Sequence, residues 1–142
     1  MASGDGSYSR DVDRLGAAID AIARKCWRGL PALMGQAARP SLVQIADALK
    51  VCGVDVDAAF ILEEWPAILE AVRVFISRYP DDWALYREFI IMKETSRARW
   101  GQKGAAVKLA EQKGIERYEV YANVRSVPRR IAALYNLTQL DK

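Results

Sequence analysis

The sequence predicts an all-α protein, a helical bundle. Two observations lead there and one limits the alternative. Apolar residues recur at intervals of three and four through most of the chain, the spacing that lines one face of a helix. Gly, Pro and Ser stand between those stretches, where helices start and stop. Only "VRVFISRY" has the alternation and β-branching of a strand, and it is short.

Element by element, residues 1–8 are Gly/Ser-rich and are expected to form a disordered leader. From Ser9 the apolar positions Leu15, Ala18, Ile19, Ile22, Ala23, Cys26 and Trp27 mark an amphipathic helix. Ser9 suits its N-cap, Asp11 and Asp13 its first turn, and Gly29 its stop. "LPALMGQAAR" predicts a short second helix before Pro40. Ser41 then caps "LVQIADALKV", with Leu42, Ile45, Ala46 and Leu49 on one face and Gly53 at its end. "DVDAAFILEEW" and "PAILEAVRVFISRY" follow as helices, with Pro66 in a first turn. Pro80 breaks the chain, and Asp81 and Asp82 open a long helix striped by Trp83, Tyr86, Phe89, Ile90 and Lys93. These boundaries divide the chain into the leader 1–8, an N-terminal helical body 9–79 and a C-terminal helical module 81–142.

A chain of 142 residues buries roughly two-thirds of its unfolded surface and needs no metal or disulfide staple. Cys26 and Cys52 match no zinc or redox spacing, so both are expected reduced and buried in a cytoplasmic protein. The start "MASGDGSYSRDVD" lacks the basic-then-apolar order of a signal peptide, and no apolar run approaches the ~20 residues a membrane span needs. The charge is unevenly placed. Residues 1–90 hold 10 Lys+Arg and 13 Asp+Glu, net −3, whereas residues 91–142 hold 11 and 5, net +6. A basic C-terminal third behind an acidic body is the footprint of a polyanion-facing surface.

The stretch "AAVKLAEQKGIERYEVYANVRSVPRR", residues 105–130, concentrates that charge in an ordered pattern. Leu109 and Ala110 supply a packing pair between two helices, and Gly114 a residue that tolerates positive φ at the turn. Ile115 plugs the turn, while Val120, Val124 and Val127 line the inner face of the second helix. The outer face then carries Arg117, Tyr118, Tyr121, Ala122 and Arg125. Pro128 disfavours a helical Val127, which predicts a second helix of about three turns. On these residues the segment resembles helix-turn-helix DNA-binding proteins of the small phage or mobile-element regulator type. The resemblance covers about 20 of the 142 residues. Glu116 departs from it where Ser or Thr is commoner, and Asn123 departs where an apolar residue is often found. The resemblance implies Arg117, Tyr118, Tyr121 and Arg125 as DNA contacts. Lys108, Lys113, Arg129 and Arg130 are placed to neutralise flanking phosphates.

A second pattern overlaps the first. "WGQKGAAVKLAEQKG" looks like the Gly-x-x-Gly loop and helix of a KH RNA-binding domain, with Gly101 and Gly104 approaching phosphates and Lys103 adding charge. That alternative requires "RYEVYANV" to be a strand. Catalysis has no visible carrier. The chain contains no histidine, and "DVD" at 55–57 lacks the glycine and later ligands of a calcium loop. No cofactor is expected. Trp100, among Arg97, Arg99 and Lys103, is the one tryptophan placed to stack on a base. The expectation is therefore a non-enzymatic, sequence-specific binder of double-stranded DNA in transcription control, homodimeric through the stripe Leu15, Ile19, Ile22 and Trp27. The N-terminal helices could also receive a protein partner. The competing class is a helical adaptor or inhibitor that never touches nucleic acid.

Overall fold

The three-to-four spacing folds as helix wherever the computed structural model describes the chain, which is residues 3–25, 40–95 and 97–140. Side chains are described within 12–25, 40–93 and 104–139. Among the described residues there are seven helices and no strand: α1 (Ser3–Lys25), α2 (Leu42–Val51), α3 (Ala58–Glu63), α4 (Trp65–Arg78), α5 (Pro80–Thr95), α6 (Arg97–Lys113) and α7 (Arg117–Leu140). The protein is all-α. "VRVFISRY" lies in α4 apart from its last residue, because Val72 and Phe75 fall on the face that α4 buries.

Local chemistry sets most ends. Ser41 caps α2 in a reciprocal box, its Oγ accepting from Gln44 N at 3.2 Å while Gln44 Oε1 accepts from Ser41 N at 2.8 Å. Asp57 caps α3 by accepting from Ala59 N at 3.0 Å. Pro80 ends α4 and begins α5, where its missing N–H costs nothing, and Asp81 and Asp82 follow in the first turn. Helix α1 begins at Ser3, six residues before the expected Ser9 cap, so positions 3–8 are helical. The predicted helix in "LPALMGQAAR", the Gly29 stop, Cys26 and Trp27 lie outside the described residues.

The axis of the bundle is α7, which packs against α1, α4, α5 and α6. Helix α1 also packs on α2 and α5, and α2 on α3. One buried cluster runs from Val12 to Tyr135 and draws on residues both before and after Pro80. The expected three-turn limit on the last helix is corrected by this position. Helix α7 continues through Pro128 to Leu140, and Val127 and Pro128 are both buried. An internal proline costs a helix about 3 kcal/mol. Stopping there would forfeit the burial of Ile131, Ala132 and Tyr135, where each large side chain contributes about 1.5–3 kcal/mol. Tertiary packing outweighs the local rule.

Two polar ties sit inside this core. The Tyr86 hydroxyl donates to Asp20 Oδ1 at 2.7 Å, and Arg24 Nε holds the other carboxylate oxygen at 2.7 Å. Burial first, then the Asp20 charge, push the Tyr86 hydroxyl well above its ordinary pKa. Tyr135 donates to Glu64 Oε1, and burial with this bond raises its pKa also. Two further expectations are corrected. Leu42 and Ala46 are exposed, and α2 instead buries Ile45, Ala48 and Leu49. Cys52, expected buried, is an exposed thiol at the C-cap of α2.

Candidate nucleic-acid interface

The unit formed by α6, its turn and α7 is built from small and branched side chains. Ala105, Ala106, Leu109 and Ala110 of α6 are buried, and Val120 and Val124 of α7 are buried. Between them Gly114 has φ +66°. Ile115 N donates to Ala110 O at 3.1 Å and Gly114 N to Glu111 O at 3.4 Å, the paired bonds of a Schellman stop. A side chain at that φ would be strained, which is why the turn uses glycine. Ile115 is half-buried and packs against the core as the plug of the turn. Glu116 starts α7 without a hydroxyl: Glu119 N donates to Glu116 O at 3.0 Å, and the Glu119 carboxylate accepts from Glu116 N at 2.7 Å.

The polar residue at position 123 is explained by a partner 41 residues away in sequence. Asn123 is buried, and its Nδ2 donates to the carbonyl of Asp82 at 2.9 Å, tying α7 to the first turn of α5. Arg130 of α7 reaches the same residue, with Nη1 3.0 Å from Asp82 Oδ2. Its guanidinium lies over Phe75 and Tyr79, 4.9 and 4.3 Å from the ring centres.

The eight candidate contacts divide into two groups. On the outer face of α7, Arg117, Tyr118 and Arg125 are exposed and Tyr121 is half-buried. Tyr118 is 69% exposed, unusual for so large an apolar ring. Lys108 is exposed on α6. The remaining three are engaged inside the molecule. Lys113 Nζ sits 2.9 Å from Glu88, Arg129 Nε 2.7 Å from Asp13, and Arg130 is held by Asp82. Three of the eleven cations of residues 91–142 thus pair with carboxylates of the body. Around the turn, Glu111, Glu116 and Glu119 interleave with Lys108, Lys113, Arg117 and Arg125, so the local surface is only mildly cationic.

No family model, curated protein or solved structure matches the chain.

The helical architecture also decides the KH alternative. Gly101, Lys103 and Gly104 lie within α6, and "RYEVYANV" lies within α7. A KH fold needs a loop at the first and a strand at the second, so the chain does not have that fold. Leu15, Ile19 and Ile22 of the expected dimer stripe are buried within the molecule, and its fourth member, Trp27, lies outside the described residues. The Trp100 side chain lies outside the described residues. Among those residues no cluster of His, Cys, Asp or Glu could hold a metal ion, and no helix is long and apolar enough to cross a membrane.

Sequence reasoning did not find Gly16, Asp13 or Asp82 as partners of α7. A Cβ at Gly16 would lie 3.1 Å from Arg129 Cα, so α1 crosses α7 there in close backbone contact. Gly16 interrupts an otherwise well-formed helical pattern, and that was the available signal.

Proposed function

We propose that the chain binds double-stranded DNA by sequence and acts in transcription control, using α6, the turn at Gly114 and the first half of α7. The observation that carries this is the two-sidedness of α7. Val120 and Val124 are buried, while Arg117, Tyr118, Ala122 and Arg125 are exposed on one outer face beside the half-buried Tyr121. A helix placed so after a tight turn offers its N-terminal side chains to base edges in a major groove. Lys108 on the preceding helix is positioned for the flanking backbone. Lys113, Arg129 and Arg130 each pair with a carboxylate of an earlier helix, so in this reading Lys108, Arg117 and Arg125 carry the phosphate neutralisation among the eight candidates. Three such contacts give log K against log salt a slope of about −3. Binding isotherms on selected and scrambled duplexes at several salt concentrations test the proposal. Absence of any salt-dependent DNA binding overturns it.

A second function, a helical adaptor for a protein partner, rests on one specific observation. Helix α2 exposes Val43 and Val51 at 68% and 67%. Under that reading the same isotherms are flat.

A further inference from the structure

Resting on the DNA-binding proposal, we infer that α7 reads two guanines three to four base pairs apart, separated by thymines. The length of helix that can enter a groove is bounded at both ends. Its upstream limit is the turn at Gly114, which leaves Arg117 as the first residue of α7. Its downstream limit is α1. At Arg129 the backbone of α7 lies against Gly16, and Asp13 pairs with the Arg129 guanidinium at 2.7 Å, so α1 crosses α7 at that point and stands in the way of a groove. The free face runs from Arg117 to Arg125. Eight residues at 1.5 Å each span about 12 Å. Base pairs stack every ~3.4 Å, so this length reads three to four steps.

The side chains on that face then select the bases. An arginine stands at each end, and its fork matches the O6 and N7 acceptors of guanine. Between them lie Tyr118, Tyr121 and Ala122, whose apolar surfaces suit the thymine methyl. The residues that read other bases are withdrawn from the face. Asn123, a natural adenine reader, is buried and donates to Asp82 O at 2.9 Å. Glu119, which could accept from cytosine N4, is turned back onto Glu116 N at 2.7 Å. What remains is a guanine–thymine code with arginines as its brackets.

The experiment selects duplexes from a random library with the full chain, then modifies single atoms in the selected site. Replacing either guanine by 7-deazaguanine removes one acceptor and should weaken binding roughly tenfold. Uracil in place of a central thymine removes the methyl and should weaken it by a smaller factor. Arg117→Ala should abolish the preference at one guanine and Arg125→Ala at the other, each leaving the second intact. Selected sites without two guanines at this spacing, or indifference to 7-deazaguanine, overturn the code while leaving the DNA proposal standing. Failure to enrich any sequence, with no salt-dependent retention, overturns both.

Discussion

Replacing Arg130 by alanine should destabilise the fold and leave the salt dependence of DNA binding unchanged. Three interactions of the arginine side chain set the magnitude. The pair with Asp82 is about 40% exposed, 37% on the arginine side and 46% on the aspartate side, so screening holds it to about 0.2–1 kcal/mol. The guanidinium also lies 4.9 Å from the Phe75 ring centre and 4.3 Å from that of Tyr79, each stacking interaction contributing about 0.5–1 kcal/mol at a partly wet site. The methylene stem adds packing that alanine cannot supply. A total of about 1.5–3 kcal/mol is expected, allowing for the partial overlap of these effects. Urea unfolding monitored by far-UV circular dichroism measures the loss, and isotherms at several salt concentrations measure the slope. Arg130→Lys should recover the ion pair but little of the stacking, because an ammonium lacks the planar fork. The opposite result refutes the reasoning. If Arg130→Ala unfolds like wild type and the slope falls by about one unit, Arg130 is a phosphate contact and its seat on Phe75 and Tyr79 is irrelevant.

Gly114→Val should cost about 1 kcal/mol or more, because a β-branched residue is strained at φ +66°; an unchanged melting temperature would refute the turn's role. Gly16→Ala pits about 1 kcal/mol of helix propensity against a Cβ placed 3.1 Å from backbone that cannot swing aside, an overpacking cost of about 1–3 kcal/mol. The variant should melt lower than wild type, and a higher melting temperature would show that α1 and α7 are not in close contact. Tyr86 has a folded pKa above its unfolded value near 10, so its contribution is complete below about pH 10 and declines as pH rises further. Tyr86→Phe should flatten that alkaline limb in pH-dependent urea unfolding, at a cost near neutral pH of about 1 kcal/mol for the lost bond to Asp20.

How much of this was legible in the sequence depends on how far apart the interacting residues are. Ser41, Gly53 and Gly114 act within a turn of themselves, and their roles as cap and stops are legible directly, whereas the cap at Asp57 emerges only in the structure. The stripe Trp83, Tyr86, Phe89, Ile90 and Lys93 is a periodic signal; the first four are buried and Lys93 is half-buried. Pro128 misled because its local cost is certain while the packing that offsets it comes from four other helices. The stripe on α1 was correctly apolar, but periodicity does not say whether a face meets another chain or its own. It meets its own. Leu42 and Ala46 failed similarly, since a ten-residue helix offers two apolar edges and the rest of the fold chooses between them.

Charge distribution shows the same limit and bears most on function. A segment net of +6 invites an anionic partner, and the inference is sound only for charges that the fold leaves unanswered. Here the partners are supplied across long sequence distances. Asp13 meets Arg129, Asp82 meets Arg130 and Glu88 meets Lys113. Each pair joins α7 or the end of α6 to an earlier helix, so part of the charge asymmetry is answered within the bundle. What distinguishes Arg117 and Arg125 from the engaged cations is position on the helix. They occupy the turns of α7 that precede its crossing with α1 at Arg129, and both are exposed. A single helix thus divides its cations along its length. Those at 129 and 130 pair with carboxylates of α1 and α5, and those at 117 and 125 are left facing outward. On this division rests the expectation of a shallow salt slope, and with it a DNA affinity that depends more on base contacts than on phosphate number.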